Sequence, residues 1–338
     1  MRAATSETQR TDGPAALDPG LSIVVPVYNS GPALPLLHEA LIAELPALGL
    51  PFELIFVEDH GSDDSWTVIR GLAARDPHVR GLRMNRNFGQ HAALLCGIRA
   101  ARFDRLVTMD DDLQHHPREL PRLLAELRDG VDVVYGSPEQ ERHGFLRDMA
   151  SVMTKSALAS AMGHPIAHHT SALRAFRTHL RDAFADYHNP SVSIDVLLSW
   201  ATDAFVAIRV PHHNRAFGTS NYTLRKLVKH ALNMTTGFGT APLHFATTLG
   251  FLFTVVGFVL FVYVLFGALF LGSPVQGFPF LASAISMFSG VQLLSLGIIG
   301  EYVGRIFERT GSRPAYFVAQ ATRPSEAGSR TVPEDAAA

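Results

Sequence analysis

Between Leu21 and about residue 220, short apolar runs alternate with amphipathic stretches. LSIVVPVYN, FELIFVED, VRGLRMNRN, DRLVTMDDD and VDVVYGS each read as a strand, apolar or β-branched and closed by Pro, Gly, Asn or Asp. ALPLLHEALIAEL, SWTVIRGLAAR, GQHAALLCGIRAAR and RELPRLLAELRDG lie between them with the spacing of helices. Strands alternating with helices predict an α/β sheet, mostly parallel and covered on both faces. Ligands of such sheets gather at the carboxyl ends of the strands.

The pattern changes after Lys229. No Asp, Glu, Lys or Arg occurs again until Glu301. Two apolar runs fill that window, 243–272 and 278–304, with the Gly/Pro turn GSPVQGFP between them. Each has the roughly 20 apolar residues that a spanning helix needs, so the pair predicts a transmembrane hairpin within 243–308. Arg225, Lys226 and Lys229 precede it, and Arg305, Arg309 and Arg313 follow it. The connecting loop carries no cation, which places both termini in the cytoplasm. The segment 221–242 has Leu224, Leu227, Val228, Ala231 and Leu232 at helical spacing with basic residues opposite, as in a juxtamembrane amphipathic helix.

Composition agrees with a mixed protein. With 47% hydrophobic and 18% charged residues, and mean hydropathy +0.13, the chain is too apolar for an ordinary soluble enzyme and too polar for a membrane bundle. A net charge of -2 gives no basic field, so nucleic acid is not an expected partner. The single cysteine, Cys96, excludes an intramolecular disulfide and a cysteine-rich metal site. Residues 1–20 read as a disordered leader without a signal-peptide core, and 309–338 as a cytoplasmic tail. The 21–220 region is then the soluble domain.

Every polar cluster of that domain follows a strand. Asn29 and Ser30 follow the first, Glu58, Asp59, Asp63 and Asp64 the second, Asn85, Arg86 and Asn87 the third, and Asp110, Asp111 and Asp112 the fourth. Neither G-x-G-x-x-G nor a P-loop occurs to support a dinucleotide or P-loop reading. If the fourth strand stays extended through the three aspartates, Asp110 and Asp112 share one face. Two carboxylates there suit Mg2+ or Mn2+, completed by substrate phosphates. Asp111 points the other way, free to accept from a ribose hydroxyl.

IVVPVYN, FVEDHGSDDS, NRNFGQ and MDDDLQHHP stand in an order and spacing that resembles glycosyltransferase family 2, the inverting GT-A type. With the apolar hairpin, the chain is similar to the polyprenyl-phosphate glycosyltransferases, bacterial relatives of dolichol-phosphate mannose synthase. The resemblance runs from about Leu21 to Phe317. It implies a Rossmann-like GT-A domain that passes one sugar from a nucleotide-sugar, by default a UDP-sugar, to polyprenyl phosphate at the bacterial inner membrane. On matching positions it implies Pro26, Tyr28, Asp59, Asp111 and Gln114 near the donor, and Asp110 and Asp112 on the metal. It implies Arg215 and Ser220, from R-x-x-G-x-S-x-Y, at the acceptor phosphate; where the family shows an arginine soon after the fifth strand Pro138 stands here, so Arg142 or Arg147 would join them in its place. Asp112 and Arg215 then take the catalytic roles.

Asp195 lies near a family carboxylate position, where it serves either as a base or as a charge at a helix N-terminus. Arg174 matches a family segment and equally suits an ion pair. The sequence departs from D-A-D at Asp111, from D-G-S at His60 and Gly61, and from S-K-Y at Asn221. The pairs His115–His116, His168–His169 and His212–His213 lack metal-site spacing. Two other functions compete: a polysaccharide-extending synthase, which lacks its Q-x-x-R-W here, and a non-catalytic membrane subunit that binds sugar nucleotides. Two spans on a modest core also predict a homo-oligomer.

Overall fold

The computed structural model describes residues 17–138, 158–159, 162–189, 192–211, 241–266, 270, 277–310 and 314–322. Eight strands form one sheet in the order β7-β5-β6-β4-β1-β2-β3-β8. They are β1 (Asp18–Val27), β2 (Phe52–Glu58), β3 (Val79–Met84), β4 (Phe103–Thr108), β5 (Val133–Pro138), β6 (Arg174–Arg177), β7 (Phe205–Val210) and β8 (Val318–Ala321). The five strands expected from the sequence all form. β4, β1, β2 and β3 run parallel to one another in that order, and β5 is parallel to β7. Of the three additional strands, two make the sheet mixed: β6 is antiparallel to β4 and β5, and β8 is antiparallel to β3.

Helices cover both faces. α1 (Leu34–Glu44), α2 (Ser65–Arg75) and α4 (Leu120–Ala125) pack on the face that β1 lines with Leu21, Ile23, Val25 and Val27. α3 (Gln90–Ala100), α5 (Ile194–Ala201) and a 3-10 segment, Thr178–Phe184, pack on the face of Val24. β1 is central and apolar on both faces, which explains its unbroken hydrophobic run. Gly97 lets α3 approach closely: a Cβ there would collide with Val24 and come within 3.1 Å of Val57.

Two expected boundaries are corrected. β1 begins at Asp18, inside the stretch read as leader, where the Gly20 N–H donates to Asp104 Oδ1 at 2.8 Å. The stretch read as tail contains β8. The Asn85 N–H donates to the Phe317 carbonyl at 2.9 Å, the Thr322 N–H donates to the Gly81 carbonyl at 2.9 Å, and Ala315 is buried. Pairing with β3 satisfies backbone groups that would otherwise stand open on a sheet edge.

The apolar third forms two helices, α6 (Ala241–Phe266) and α7 (Phe278–Thr310). At 1.5 Å per residue they measure about 39 and 50 Å. Phe253 meets Phe288 edge to face at 6.0 Å, and Gly257 lies against the same ring. Among the described residues one helix, α6, is long and apolar enough to cross a membrane, over Leu243–Leu260. Large apolar side chains such as Phe251 and Leu293 stand exposed on both. The segment 221–240, with its basic residues, lies outside the described residues.

Candidate active site

The carboxyl ends of β1, β2, β3 and β4 are laced together by side chains that accept from backbone. After β1 the chain turns at Asn29, with φ 54°. Its Oδ1 accepts from the Ser62 N–H at 2.7 Å, and Asp63 Oδ2 accepts from the Gly31 N–H at 2.9 Å and from the Ser65 hydroxyl at 2.8 Å. Burial alone would raise the Asp63 carboxyl, but these donors outweigh it and hold the group below its ordinary value. Glu58 pairs with Arg83 at 2.9 Å and accepts from the Gly61 N–H.

Asp59 is almost fully buried. Its two oxygens accept from the Phe88 and Gly89 N–H groups at 2.7 and 2.8 Å, just ahead of α3. Burial pushes its pKa up to about 6, against these two hydrogen bonds. Asp59, read from the sequence as a donor contact, thus holds the loop 85–89. Arg86 of that loop is exposed, stacked 4.6 Å over the Phe88 ring.

β4 stops at Thr108, and a turn begins at Asp111, with Leu113 at φ 58°. Strand alternation therefore does not carry through the three aspartates, and their placement comes from the turn. Gln90 Nε2 at the start of α3 donates to Asp110 Oδ1 at 2.6 Å. Asp112 is buried, and its Oδ1 accepts from the Gln114 N–H at 3.1 Å. Asp111 lies near Ser30 and Tyr28, just after β1, where the Ser30 hydroxyl donates to the Tyr28 carbonyl at 3.2 Å. Burial, reinforced by the charge of Asp112, pushes the Asp111 pKa up to about 6. Tyr28 stands half exposed beside this turn, while Pro26 is buried within β1 opposite Val57.

Behind the turn lies a second carboxylate centre. Asp195, in the first turn of α5, is buried and accepts on Oδ1 from Arg174 Nη1 at 2.8 Å and from the Tyr135 hydroxyl at 2.9 Å. Burial and the Asp195 charge push the Tyr135 pKa well above its ordinary value. Arg174 pairs in register with Thr108 of β4 and with Tyr135 of β5, so this network braces the strands beneath the aspartate turn. Of the two roles open to Arg174 in the sequence, the ion pair is the one formed.

The model of glycosyl transferase family 2 matches residues 22–182, which hold all of these carboxylates except Asp195. The undecaprenyl-phosphate 4-deoxy-4-formamido-L-arabinose transferase of Proteus mirabilis (strain HI4320) is 35% identical over 301 residues, 88% of this chain and 92% of that protein. The enzyme of the same name from Sodalis glossinidius (strain morsitans) is 34% identical, over 88% of this chain and 92% of its own. The chain belongs to glycosyl transferase family 2.

As a family 2 glycosyltransferase, the chain is a transferase built on the α/β GT-A plan with its mixed sheet. Among solved structures it is similar to glucosyl-3-phosphoglycerate synthase from Mycobacterium tuberculosis in complex with Mn2+, UDP and glucosyl-3-phosphoglycerate. That likeness has TM-score 0.49 and 18% identity, over 64% of this chain and 78% of that one. Among the described residues of the family 2 chain, no three His, Cys, Asp or Glu side chains cluster to enclose a metal. Carboxylate oxygens such as those of Asp110 and Asp112 are of the kind that hard cations take, and Mg2+ commonly completes one or two of them with substrate oxygens. Arg142, Arg215 and Ser220 lie outside the described residues. Gln90 is the site residue the sequence reading left without a role. It ends the motif NRNFGQ, and that motif was its signal.

Proposed function

We propose that this family 2 enzyme moves a single sugar from a nucleotide-sugar to polyprenyl phosphate at a bacterial inner membrane, with inversion at the anomeric carbon. One observation carries the reading. Similarity to the undecaprenyl-phosphate 4-deoxy-4-formamido-L-arabinose transferases extends over 88% of the chain, beyond the residues matched by the family model. An acceptor whose tail stays in the bilayer accounts for apolar helices on a sugar transferase. In this reading α6 and α7 form the membrane hairpin, with the GT-A domain and both termini in the cytoplasm.

An oxygen of the lipid phosphate forms a bond to the anomeric carbon as the bond from that carbon to the donor diphosphate breaks, and the nucleoside diphosphate departs. The attacking phosphate is already ionised, so no proton has to be removed. Catalysis is positioning and charge stabilisation. Tyr28 and Gln114 border the donor, and Asp111 and Asp59 hold the loops around it. Asp110 and Asp112 hold a divalent ion, which when bound stabilises the charge of the leaving diphosphate. Arg215 and Ser220, with Arg142, take the acceptor phosphate, for which arginine's fork is suited. Asp195 positions β4 and β6 through Arg174 and does not act as base.

The test is transfer by purified protein from a panel of labelled sugar nucleotides to polyprenyl phosphate, with and without Mg2+ or Mn2+. The panel includes UDP-sugars and a nucleotide-linked 4-deoxy-4-formamido-L-arabinose. Label is expected in the organic phase for one donor and only with the ion. Absence of transfer from every donor overturns the reading.

A further inference from the structure

We propose that Gln90 is a positioning residue for the divalent ion: its amide sets the Asp110 carboxylate for ligation, from a helix end that Asp59 holds in place. This rests on the reading of Asp110 and Asp112 as ion ligands above. The observation behind it is one hydrogen bond, 2.6 Å from Gln90 Nε2 to Asp110 Oδ1, which joins α3 to the aspartate turn.

Asp110 stands outside regular structure. β4 ends at Thr108, the Met109 N–H still donates to the Val24 carbonyl at 3.2 Å, and a turn begins at Asp111. Gln90 is placed differently, as the first residue of α3. The Ala92 and Ala93 N–H groups donate to the Gly89 carbonyl at 3.0 and 3.1 Å and close the first helical turn. Gly89 has φ 94°, a conformation that glycine takes readily and other residues do not. The loop before it is tied at both ends. Asp59 accepts from the Phe88 and Gly89 N–H groups, and the Asn85 N–H donates to the Phe317 carbonyl at 2.9 Å. α3 is itself seated on β1 and β2 at Gly97. A side chain on a packed helix holds its geometry more tightly than one on a loop. Gln90 therefore carries the order of β2 and α3 to a carboxylate that its own backbone does not fix.

The chemistry of the donor suits that task. A side-chain amide is neutral. It orients a carboxylate without balancing its charge, and that charge is what draws a divalent ion. A lysine at the same place would pair with Asp110 and compete with the ion. Carboxylates that bind metals are commonly held by hydrogen-bond partners that never touch the ion, and losing such a partner weakens binding about 10- to 100-fold. Gln90 thus acts on how tightly the ion is held, and little on transfer once the ion is in place.

The test is Mn2+ uptake by full-length protein in detergent. Free Mn2+ is followed by its paramagnetic resonance signal, with the ion alone and with the ion plus UDP, each against a protein-free blank. Gln90→Met keeps the length and helix preference of the side chain but has no donor. It is expected to weaken Mn2+ about 10-fold. Gln90→Lys, which adds a charged donor, should weaken it further, towards the level of Asp112→Asn. In the transfer assay, the Mn2+ concentration for half-maximal rate should rise in Gln90→Met by the factor found for binding, and saturating Mn2+ should bring turnover back to that of the parent. Equal Mn2+ affinity in Gln90→Met and the parent overturns the inference and leaves the transferase reading standing. So does a loss of turnover that saturating Mn2+ does not recover, which would mark Gln90 as merely structural. A parent protein that takes up no Mn2+ under either condition overturns the ion reading as well. Should Gln90→Met misfold, the contrast of Gln90→Lys with the parent decides.

Discussion

Two buried acidic centres sit at opposite ends of the same sheet, and the protein treats them differently. At the amino end, Glu53 is fully buried and fully answered. Arg80 Nη1 donates to its Oε2 at 2.7 Å and Arg102 Nε at 3.1 Å, while the Ser22 hydroxyl and the Arg102 N–H donate to Oε1, each at 2.8 Å. At the carboxyl rim, Asp59 receives neutral N–H donors, and both it and the part-buried Asp111 are pushed up to about 6. Among the described residues no arginine or lysine forms an ion pair with either. A carboxylate with its cation built in is scaffold. Carboxylates without a built-in cation leave negative charge for something else to balance, the role that the proposed divalent ion would take.

The sharpest way to break this contrast is Asp112→Asn. On the rim it removes charge without removing volume, so the fold is retained, while transfer falls by about 10^3-fold, the scale of losing one strong stabiliser of a developing charge. Label in the organic phase measures the loss, and an unchanged melting curve shows that the fold is intact. An active Asp112→Asn protein removes the aspartate turn from the chemistry.

The reverse outcome is expected at the other end. Glu53→Ala leaves Arg80 and Arg102 without their shared partner and costs roughly 3 kcal/mol of stability, read by chemical denaturation. The turnover of the protein that remains folded is unchanged. If Glu53→Ala instead alters the KM for donor, the two ends are not separable.

A pH series sharpens the rim further. The Asp59 pKa is raised from 3.8 to about 6, so the folded protein holds this proton more tightly than the unfolded chain. That contribution is fully present below about pH 4 and is lost as pH rises through 6, roughly 3 kcal/mol in all. Subtracting the stability of Asp59→Asn from that of the parent at each pH isolates the group. The difference should fall from pH 4 to pH 7 and be flat above. A difference that rises over that range contradicts the burial described for this carboxyl.

The sequence made one part of this arrangement legible and hid another. The five parallel strands each carry an apolar run closed by a polar cluster, so period and punctuation placed both the strands and the rim. β6 and β8 span four residues each, RAFR and VAQA, too short for any period to register. They exist because β4, β5 and β3 offer unpaired edges. β8 was further hidden by its position, since it follows some seventy residues without charge and pairs with a strand near residue 80. The aspartate triplet was legible as a polar cluster at the end of the fourth strand, but its geometry was not. Alternation presumes a strand, and the strand ends at Thr108. Asp111 shows the consequence: alternation sets it opposite Asp110 and Asp112, whereas the turn sets it near Ser30 and Tyr28.

The smallest expected effect tests whether the rim's lacing, and not glycine content in general, keeps its loops in place. A Cβ on Gly61 would stand 2.5 Å from Asn29 Oδ1 and 3.1 Å from the Asn29 nitrogen. Asn29 Oδ1 is also the acceptor for the Ser62 N–H. Gly61→Ala therefore has to push the Asn29 turn away, and costs about 1–2 kcal/mol through overpacking. Tyr28 precedes that turn directly, so the KM for donor should rise a few-fold while turnover changes little. Gly71, inside α2, is the control. Its added Cβ meets only the end of the Arg75 side chain, at 3.5 Å. Gly71→Ala should stabilise by about 0.5–1 kcal/mol, the usual gain in a helix interior, with donor KM untouched. Equal effects of the two substitutions on KM would mean that the β1 turn does not border the donor.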